Sequence, residues 1–162
     1  MAGRKKSGPY TYERAWNYVL WLLGRQSYTK AQLAKKLERK EASSETIERV
    51  MEKLERLHFV DDALYAENYI RARKRKKGPL ALKQELYQKG VPGKLIAPAI
   101  EELGEEEQVQ AALTLVEKQA WRWKGEPFER RSKAYAYLAR RGYPGDVVKR
   151  VLEVSEEFGA EE

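Results

Sequence analysis

One seven-residue pattern occurs three times along the 162-residue chain. It consists of a leucine, two variable residues, a basic residue, Gly or Glu, one variable residue, and Ser or Pro; the copies occupy residues 37–43, 86–92 and 138–144. Successive copies begin 49 and 52 residues apart, and an Ile or Val follows each copy at the same distance. A repeat of this length predicts a chain assembled from copies of one structural unit.

Each copy lies between segments whose apolar residues recur at three- and four-residue spacing, which is typical of helices with one buried face. No segment alternates between polar and apolar residues as a strand does. We therefore predict an all-α fold of three tandem three-helix repeats. The predicted boundaries are a flexible basic arm at 1–9, repeats at 10–60, 61–103 and 104–157, and an acidic tail at 158–162.

The repeats are short, and three helices in about 45 residues can bury only a small core. Neighbouring repeats must therefore stack and share apolar surface, which predicts an elongated rod, straight or curved. The acidic end of the chain, from Glu156 onward, is expected to be frayed.

The pattern also predicts how the chain turns inside each repeat. A residue in the left-handed conformation commonly ends a helix, and glycine adopts this conformation without steric cost, so we expect it at Gly90 and Gly142. Pro92 and Pro144 are expected near the start of the next helix, where a missing N–H costs little. Glu41 stands where the other copies have Gly, so either it carries the cost of a positive φ or the first turn differs.

Residues 61–79 are predicted to form one helix with two unlike ends. Asp61 and Asp62 stand at its start, where a carboxylate accepts hydrogen bonds from free backbone N–H groups. Tyr65 and Tyr69 follow at helical spacing, which favours a place in the core over a role as stacking surfaces.

The other end of this segment is strongly basic. Six of the seven residues at 71–77 are Lys or Arg, which is more than the dipole of one helix requires. Gly78 and Pro79 follow and are expected to end the helix.

The overall charge favours an anionic partner. The net charge is +7 and the pI is near 9.5, which favours nucleic acid or an acidic protein surface. The chain has no cysteine, so disulfides and thiolate metal sites are excluded and a reducing compartment is expected. No apolar run approaches the roughly 20 residues that span a bilayer. We therefore expect a cytoplasmic protein without a membrane partner.

The chain lacks the residue sets that catalysis usually needs. His58 is its only histidine. Ser–His and Cys–His arrangements need partners that we do not find, and no phosphate-binding glycine loop is present. We predict that the protein is not an enzyme and that it takes no cofactor and no metal.

Three segments carry a resemblance to a known family. Residues 61–73 follow the form DD-x-x-(F/Y)-A-x-x-Y-(V/I)-x-x-R, and residues 77–91 follow K-G-P-x-x-(I/L)-x-x-E-L-x-x-K-G-(I/V). Residues 140–143 follow RRG(F/Y). Over about residues 10 to 155 the chain resembles the bacterial RecX regulatory proteins. It departs from the family at Glu41, where Gly is usual, and at Thr29, where Ser is commoner.

The resemblance implies a partner and an activity. Proteins of this family bind the RecA recombinase and RecA–DNA filaments, lie along the filament groove, and limit filament growth or promote disassembly. They thereby inhibit the recombinase, ATPase and co-protease activities of RecA, and so modulate DNA repair, DNA recombination and the SOS response. The implied partners are RecA and its filament, with free single- or double-stranded DNA as a further one.

Two groups of basic residues are candidates for contact with RecA or with the phosphate backbone. The first is the cluster at 71–77, for which a solvated helix end is the alternative. The second lies at the repeat turns, where capping of exposed carbonyls is the alternative. The candidates are Arg71, Arg73, Lys74, Arg75, Lys76, Lys77, Lys89, Arg140 and Arg141.

Acidic and aromatic residues give weaker candidates. Asp61 and Asp62 could face a basic patch on RecA, although capping is the stronger expectation. Trp121 and Trp123 lie two apart on a helix expected over residues 105–124. They cannot face inward equally, so one should be exposed and available as an interface anchor.

A second hypothesis is a helical DNA-binding protein that acts without RecA, such as a helix-turn-helix repressor. Short helices joined by tight glycine turns resemble that motif. Against it, the basic residues are spread over three units instead of one recognition helix. Salt-dependent preference for one site sequence over random DNA would distinguish the two hypotheses.

The repeat analysis predicts that the protein in solution is an elongated monomer, because the repeats stack in one direction. Small-angle X-ray scattering combined with light scattering measures both shape and mass. A compact scattering profile, or the mass of a dimer, would contradict this prediction.

Overall fold

The computed structural model of the protein describes residues 10–159, and these residues form helices and turns without strands. The all-helical prediction is confirmed for this part of the chain. Its α-helices are α1 (Tyr12–Leu23), α2 (Lys30–Arg39), α3 (Ser44–Arg56), α4 (Asp62–Arg73), α5 (Pro79–Gln88), α6 (Gly93–Glu101), α7 (Glu105–Gln119), α8 (Pro127–Arg140) and α9 (Gly145–Val154). The predicted basic arm at 1–9 and residues 160–162 of the predicted acidic tail lie outside the described residues.

The chain divides into two compact units. Among the described residues, the first comprises 10–65 together with Lys89–Val91, and the second comprises 66–88 together with 92–159. The repeat boundaries proposed from the sequence stay a prediction, since the two units are divided elsewhere along the chain.

Each unit has its own apolar core, formed by helix faces that the sequence period predicts. A buried Val or Leu side chain contributes about 1.5–3 kcal/mol relative to an exposed one, so these clusters are the main source of stability. The first core contains Ala15, Val19, Leu22, Leu33, Leu37, Val50, Leu54 and Val60. The second contains Val109, Ala112, Val116, Ala120, Ala134, Leu138, Tyr143, Val147, Val148, Val151, Leu152 and Phe158.

Polar side chains begin two helices of the first unit. At the start of α2, Thr29 Oγ1 accepts from Gln32 N at 3.1 Å, and Gln32 Oε1 accepts from Thr29 N at 3.0 Å. This reciprocal pair is the capping box that the sequence predicts. At the start of α3, Ser43 Oγ accepts from Thr46 N at 3.1 Å. Caps of this kind contribute about 1 kcal/mol each.

Asp61 and Asp62 have different roles, although the sequence suggests that both cap the same helix. Asp61 Oδ1 accepts from Leu64 N at 3.1 Å and so caps α4. Asp62 is only 5% exposed, and its Oδ1 accepts from Lys30 N at 3.1 Å in the first turn of α2. The expectation that Asp62 caps its own helix is wrong, because its carboxylate satisfies a free N–H group of another helix.

The three pattern turns share one backbone conformation. Glu41, Gly90 and Gly142 have φ values of 62°, 85° and 92°. The left-handed conformation expected of the two glycines is therefore confirmed, and Glu41 adopts it as well. In the first and third turns, the N–H after this residue donates to the carbonyl of the pattern leucine, at 3.1 and 3.2 Å, which closes the helix end.

At Gly90 and Gly142 the neighbouring atoms also leave no space for a side chain, which is not the case at Glu41. A Cβ atom on Gly90 would lie 2.4 Å from Ala31 Cβ, and a Cβ atom on Gly142 would lie 2.4 Å from Ala81 N and Cβ. Neither site can hold a side chain without a shift of its neighbours. Glu41 is exposed, so its side chain has room and the residue carries only the cost of a positive φ, about 1 kcal/mol.

The residue before each of these glycines offers its carbonyl to the start of a different helix. Lys89 O accepts from Thr29 Oγ1 at 2.6 Å in the first unit. Arg141 O accepts from Gly78 N, the residue before α5, at 2.8 Å in the second. We call this contact of a helix start with a glycine turn a joint; each unit contains one.

The helix that begins at Asp62 is shorter than the sequence suggests. It ends at Arg73, and both Lys76 N and Lys77 N donate to Arg73 O in the turn that follows. Gly78 therefore does not end this helix. A Cβ atom on Gly78 would lie 2.5 Å from the carbonyl of Gly142, so glycine is needed there because two backbones meet.

Two predictions near the C-terminus are also corrected. The helix expected over 105–124 ends at Gln119, and a short 3₁₀ helix, Ala120–Arg122, follows it. The chain is not frayed from Glu156, because Phe158 is 6% exposed and its ring lies 5.8 Å from the Trp123 ring. The carbonyl of Phe158 accepts from Arg131 at 2.6 Å. An apolar anchor holds the described part of this segment in the core.

Introducing glycine at the first turn and removing it from the third should have opposite effects on the free energy of unfolding. Glu41→Gly should raise the free energy of unfolding by about 1 kcal/mol, because it removes the strain of a positive φ. Gly142→Ala should lower it by more than that, because it adds both strain and overlap with Ala81. Urea unfolding of the two variants measures both changes. The account of the turns fails if Gly142→Ala is as stable as the parent chain.

Asp62 predicts a dependence of stability on pH. Burial raises its pKa above the ordinary value of 3.8, and the Lys30 N–H and charge oppose this rise only in part. The folded chain thus holds the proton more tightly than the unfolded chain, so this residue lowers stability as pH rises through the range just above 3.8.

In Asp62→Asn the amide oxygen can still accept from Lys30 N, but the charge is gone. Its free energy of unfolding should therefore improve relative to the parent chain as pH rises from about 3.5 to 6. Urea titrations at several pH values test this, and a constant difference between the two proteins would contradict it.

Candidate functional site

Four of the six cations in the basic cluster at 71–77 are engaged inside the second unit; Lys77 is described below with its partner Glu85. Arg71 pairs with Glu67 one turn earlier, at 3.0 Å. The Arg73 guanidinium lies 3.7 Å from the centre of the Tyr69 ring. Lys74 forms an ion pair of 2.5 Å with Glu107 at the start of α7. These three cations therefore have structural partners, and replacing them would disturb local packing as well as charge.

Arg75 and Lys76 differ from their neighbours. Both lie on the turn after α4, both are exposed, and neither side chain has a hydrogen bond or ion pair among residues 10–159. Solvent-exposed cations of this kind are available to an anionic partner without breaking an internal pair. Within the predicted cluster they are the residues best placed for contact.

Tyr65 and Tyr69 lie on the inward side of α4, as the sequence predicts. Tyr69 is 7% exposed and Tyr65 is half-buried. Their rings are thus unsuited to stacking with bases, which requires an exposed face.

The joint of the second unit brings separate basic residues together. Gly78 N donates to Arg141 O at 2.8 Å, and Leu80 N donates to Gly142 O at 2.9 Å. These bonds hold the segment after α4 against the end of α8. Lys77, from the cluster at 71–77, therefore lies beside Arg140 and Arg141, from the pattern turn about sixty residues later. A cavity of about 380 Å³ opens here, lined by Lys77, Ala81, Glu85, Tyr137, Arg140 and Arg141.

The charges around this cavity are unequal. Three cations line it with one carboxylate, so its formal charge is +2. Lys77 Nζ pairs with Glu85 Oε1, and the Arg141 guanidinium lies 5.4 Å from the centre of the Tyr137 ring. Arg140 is exposed and has no side-chain partner in the described chain. We call this group of six lining residues the α5–α8 pocket.

Two polar atoms of the α5–α8 pocket residues are buried without a hydrogen bond. They are Glu85 Oε2 and Tyr137 OH. A buried polar atom without a partner costs about 1–3 kcal/mol, and more when it is charged. Because most buried polar atoms in folded proteins have a partner, these two atoms require an explanation.

Lys89 lies in the first unit, so it does not line the α5–α8 pocket as Arg140 and Arg141 do. Its carbonyl completes the joint with Thr29, as described above. This contact uses the backbone of Lys89, so the alternative that its side chain caps exposed carbonyls stays a prediction. No contact with RecA or DNA is needed to explain its position.

The sequence analysis missed a surface on the first unit. Aromatic side chains of α1 each lie near a cation: Arg49 is 4.3 Å from the Tyr12 ring centre, and Lys53 is 4.3 Å from that of Trp16. Further along the helix, Lys40 lies 5.1 Å from the Tyr18 ring centre and Arg25 lies 4.8 Å from that of Trp21. Arg25 follows Trp21 by four residues, but Lys40, Arg49 and Lys53 come from later segments, so the tertiary structure brings these three to the rings.

Part of this surface is open to solvent. Trp21 is 57% exposed and stacks on Tyr18 at 6.3 Å, while Phe59 is 50% exposed and stacks on Trp16 at 6.2 Å. Rings alternating with cations are the elements with which proteins bind single-stranded nucleic acid.

Trp121 and Trp123 behave as predicted in one respect. Trp121 is 74% exposed, while Trp123 packs against Tyr137 at 5.5 Å. The two residues do not differ because of their spacing on one α-helix, as the sequence suggested. Helix α7 has already ended, and Trp121 is turned outward by the 3₁₀ helix.

Metal sites and membrane-spanning helices are both absent from residues 10–159. No group of His, Cys, Asp or Glu residues in this range is arranged to hold a metal ion. The helices of the same range are each too short or too polar to cross a membrane.

The described residues form helices that are interrupted by three turns of the same conformation, which defines the class of all-α tandem-repeat proteins. Three family models match this chain, described as the first, second and third three-helix domains of RecX, at residues 15–54, 61–100 and 105–152. The chain belongs to the RecX family of regulatory proteins.

Individual relatives agree with this assignment. A regulatory protein RecX of Prosthecochloris aestuarii is 35% identical over 143 residues, covering 86% of this chain and 92% of the relative. One of Deinococcus radiodurans is 34% identical over 148 residues, covering 90% and 70%. The crystal structure of RecX from Lactobacillus salivarius matches with a TM-score of 0.83 and 26% identity, over 88% of this chain and 94% of that one.

Proposed function

We propose that the protein binds RecA or RecA–DNA filaments and inhibits the recombinase, ATPase and co-protease activities of RecA. Membership of the RecX family supports a regulatory role, and the family resemblance supplies RecA as the partner. The action would modulate DNA repair, recombination and the SOS response in the cytoplasm. The proposal requires no catalytic group and no cofactor, since binding alone changes the balance of filament growth and loss.

One structural observation supports the proposed contact. Arg75 and Lys76 project from the turn after α4, while Arg71, Lys74 and Lys77 beside them are paired with carboxylates. The paired cations hold the turn in place. The two unpaired cations are free to contact an acidic surface of RecA or DNA phosphates. Attraction of this kind acts mainly on the rate of association and weakens with salt.

The double variant Arg75→Ala/Lys76→Ala should inhibit RecA less strongly. The concentration for half-inhibition of ATP hydrolysis by RecA on single-stranded DNA should rise about fivefold or more, because exposed charge pairs contribute up to about 1 kcal/mol each. The effect should shrink as salt is raised, because exposed charges are screened.

The control is Lys35→Ala/Arg39→Ala, which removes the same two residue types from exposed positions of α2. It should retain the potency of the parent chain, and circular dichroism should show equal helix content in all three proteins. Equal potency of both double variants would show that Arg75 and Lys76 do not make the proposed contact. The same titration separates modes of action, since inhibition far below one molecule per RecA favours filament ends and inhibition near one favours groove binding.

A second candidate function is DNA binding without RecA. It is supported by the alternating rings and cations of the first unit, where Trp21 and Phe59 offer exposed faces. Such a surface would hold single strands with little preference for sequence, unlike a helix-turn-helix repressor. Fluorescence anisotropy of labelled single strands, with RecA left out, decides whether the protein has this activity.

A further inference from the structure

The α5–α8 pocket has features of a small-ligand site that regulation of RecA does not require. Its volume of about 380 Å³ is at the lower end of the range for small-molecule sites, roughly 300–1,000 Å³. It is built on two helices held together by backbone hydrogen bonds at the joint, so its walls are positioned before any ligand arrives. Preorganised walls lower the entropic cost of binding.

The cations define one half of the ligand. Lys77, Arg140 and Arg141 present ammonium and guanidinium groups to one space. Guanidinium groups pair with phosphate through two parallel N–H donors, and a neighbouring ammonium adds a point charge. The formal charge of +2 matches the dianion of a phosphate monoester.

The orphaned atoms define the other half. Glu85 Oε2 is an acceptor without a donor, since Lys77 takes only Oε1. A bare phosphate serves it poorly, because the O–H of hydrogenphosphate lies on the same small ion as the negative oxygens that the carboxylate repels. The ligand must therefore carry an O–H or N–H donor a few ångströms from its phosphate, and Tyr137 OH can join the same network in either direction.

We propose that the α5–α8 pocket binds a nucleoside phosphate, with the phosphate on Arg140, Arg141 and Lys77 and a sugar hydroxyl or base amino group on Glu85. A free mononucleotide and one residue of a single strand present the same chemistry to this pocket. The inference is independent of RecA, because every group it uses lies in this chain and binding can be measured with RecA absent.

The test uses the full chain and three probes: inorganic phosphate, AMP, and a labelled ten-residue oligodeoxyadenylate. Calorimetry measures the first two and fluorescence anisotropy measures the third. AMP should bind more tightly than inorganic phosphate, because only AMP supplies Glu85 with a donor that is separate from its charged oxygens. Tight binding of AMP alone identifies a free nucleotide as the ligand, and tighter binding of the oligonucleotide identifies a residue within a strand. Absence of binding by both AMP and the oligonucleotide overturns the proposal.

Two variants test the two halves separately. Arg140→Ala should weaken AMP about tenfold or more, as expected for loss of a charge-assisted hydrogen bond. Glu85→Gln should weaken AMP but tighten inorganic phosphate, because it removes both the acceptor charge and the repulsion. A change of both ligands in the same direction would contradict the two-part site.

Arg39→Ala is the matched control. Arg39 occupies in the first copy of the pattern the position that Arg140 occupies in the third, and both side chains are exposed. The control should bind AMP within about twofold of the parent chain. Equal loss in Arg39→Ala and Arg140→Ala would show that overall charge, and not the pocket, attracts the nucleotide. Unchanged circular dichroism confirms that each variant is folded.

Discussion

The joint between a helix start and a glycine turn is the contact on which the structure of each unit depends. Carbonyl groups at a helix end lack intrahelical donors and must find others or meet water. At Lys89 and Arg141 the donors come from a helix start far away in the chain, through Thr29 Oγ1 and Gly78 N. Because the backbones come so close, the residue after each carbonyl has no space for a side chain. The requirement for glycine at positions 90 and 142 is thus a consequence of these contacts.

The candidate site follows from the same constraint. Gly78 can approach the third turn only because it lacks a side chain, and this approach carries Lys77 and Glu85 to Arg140 and Arg141. Two of the three segments that resemble the RecX family, residues 77–91 and 140–143, meet in this way at one pocket. The early end of α4 has a related effect, since it places Arg75 and Lys76 on a turn where no internal carboxylate reaches them.

Much of the fold was accessible from the sequence because its signals are local. Helical period, the Thr29 capping box and the left-handed glycines all depend on residues within one or two turns of each other. The position of Asp62 was not accessible, because its partner is a backbone N–H at Lys30 that any residue could supply. The same is true of the pocket. Basic residues could be named from composition, but which of them are neutralised by Glu85 or Glu107 depends on tertiary distances.

In the first joint, a helix of one sequence repeat depends on acceptors that the next repeat supplies. Helix α2 is encoded in the first repeat, yet its leading N–H group is satisfied by Asp62 and its capping hydroxyl by the carbonyl of Lys89. Both belong to the second repeat of the sequence. A repeat cut out or duplicated at its own sequence borders would carry a helix whose first turn has lost its acceptors. A duplicated first repeat therefore keeps these two contacts only when a successor repeat is retained beside it.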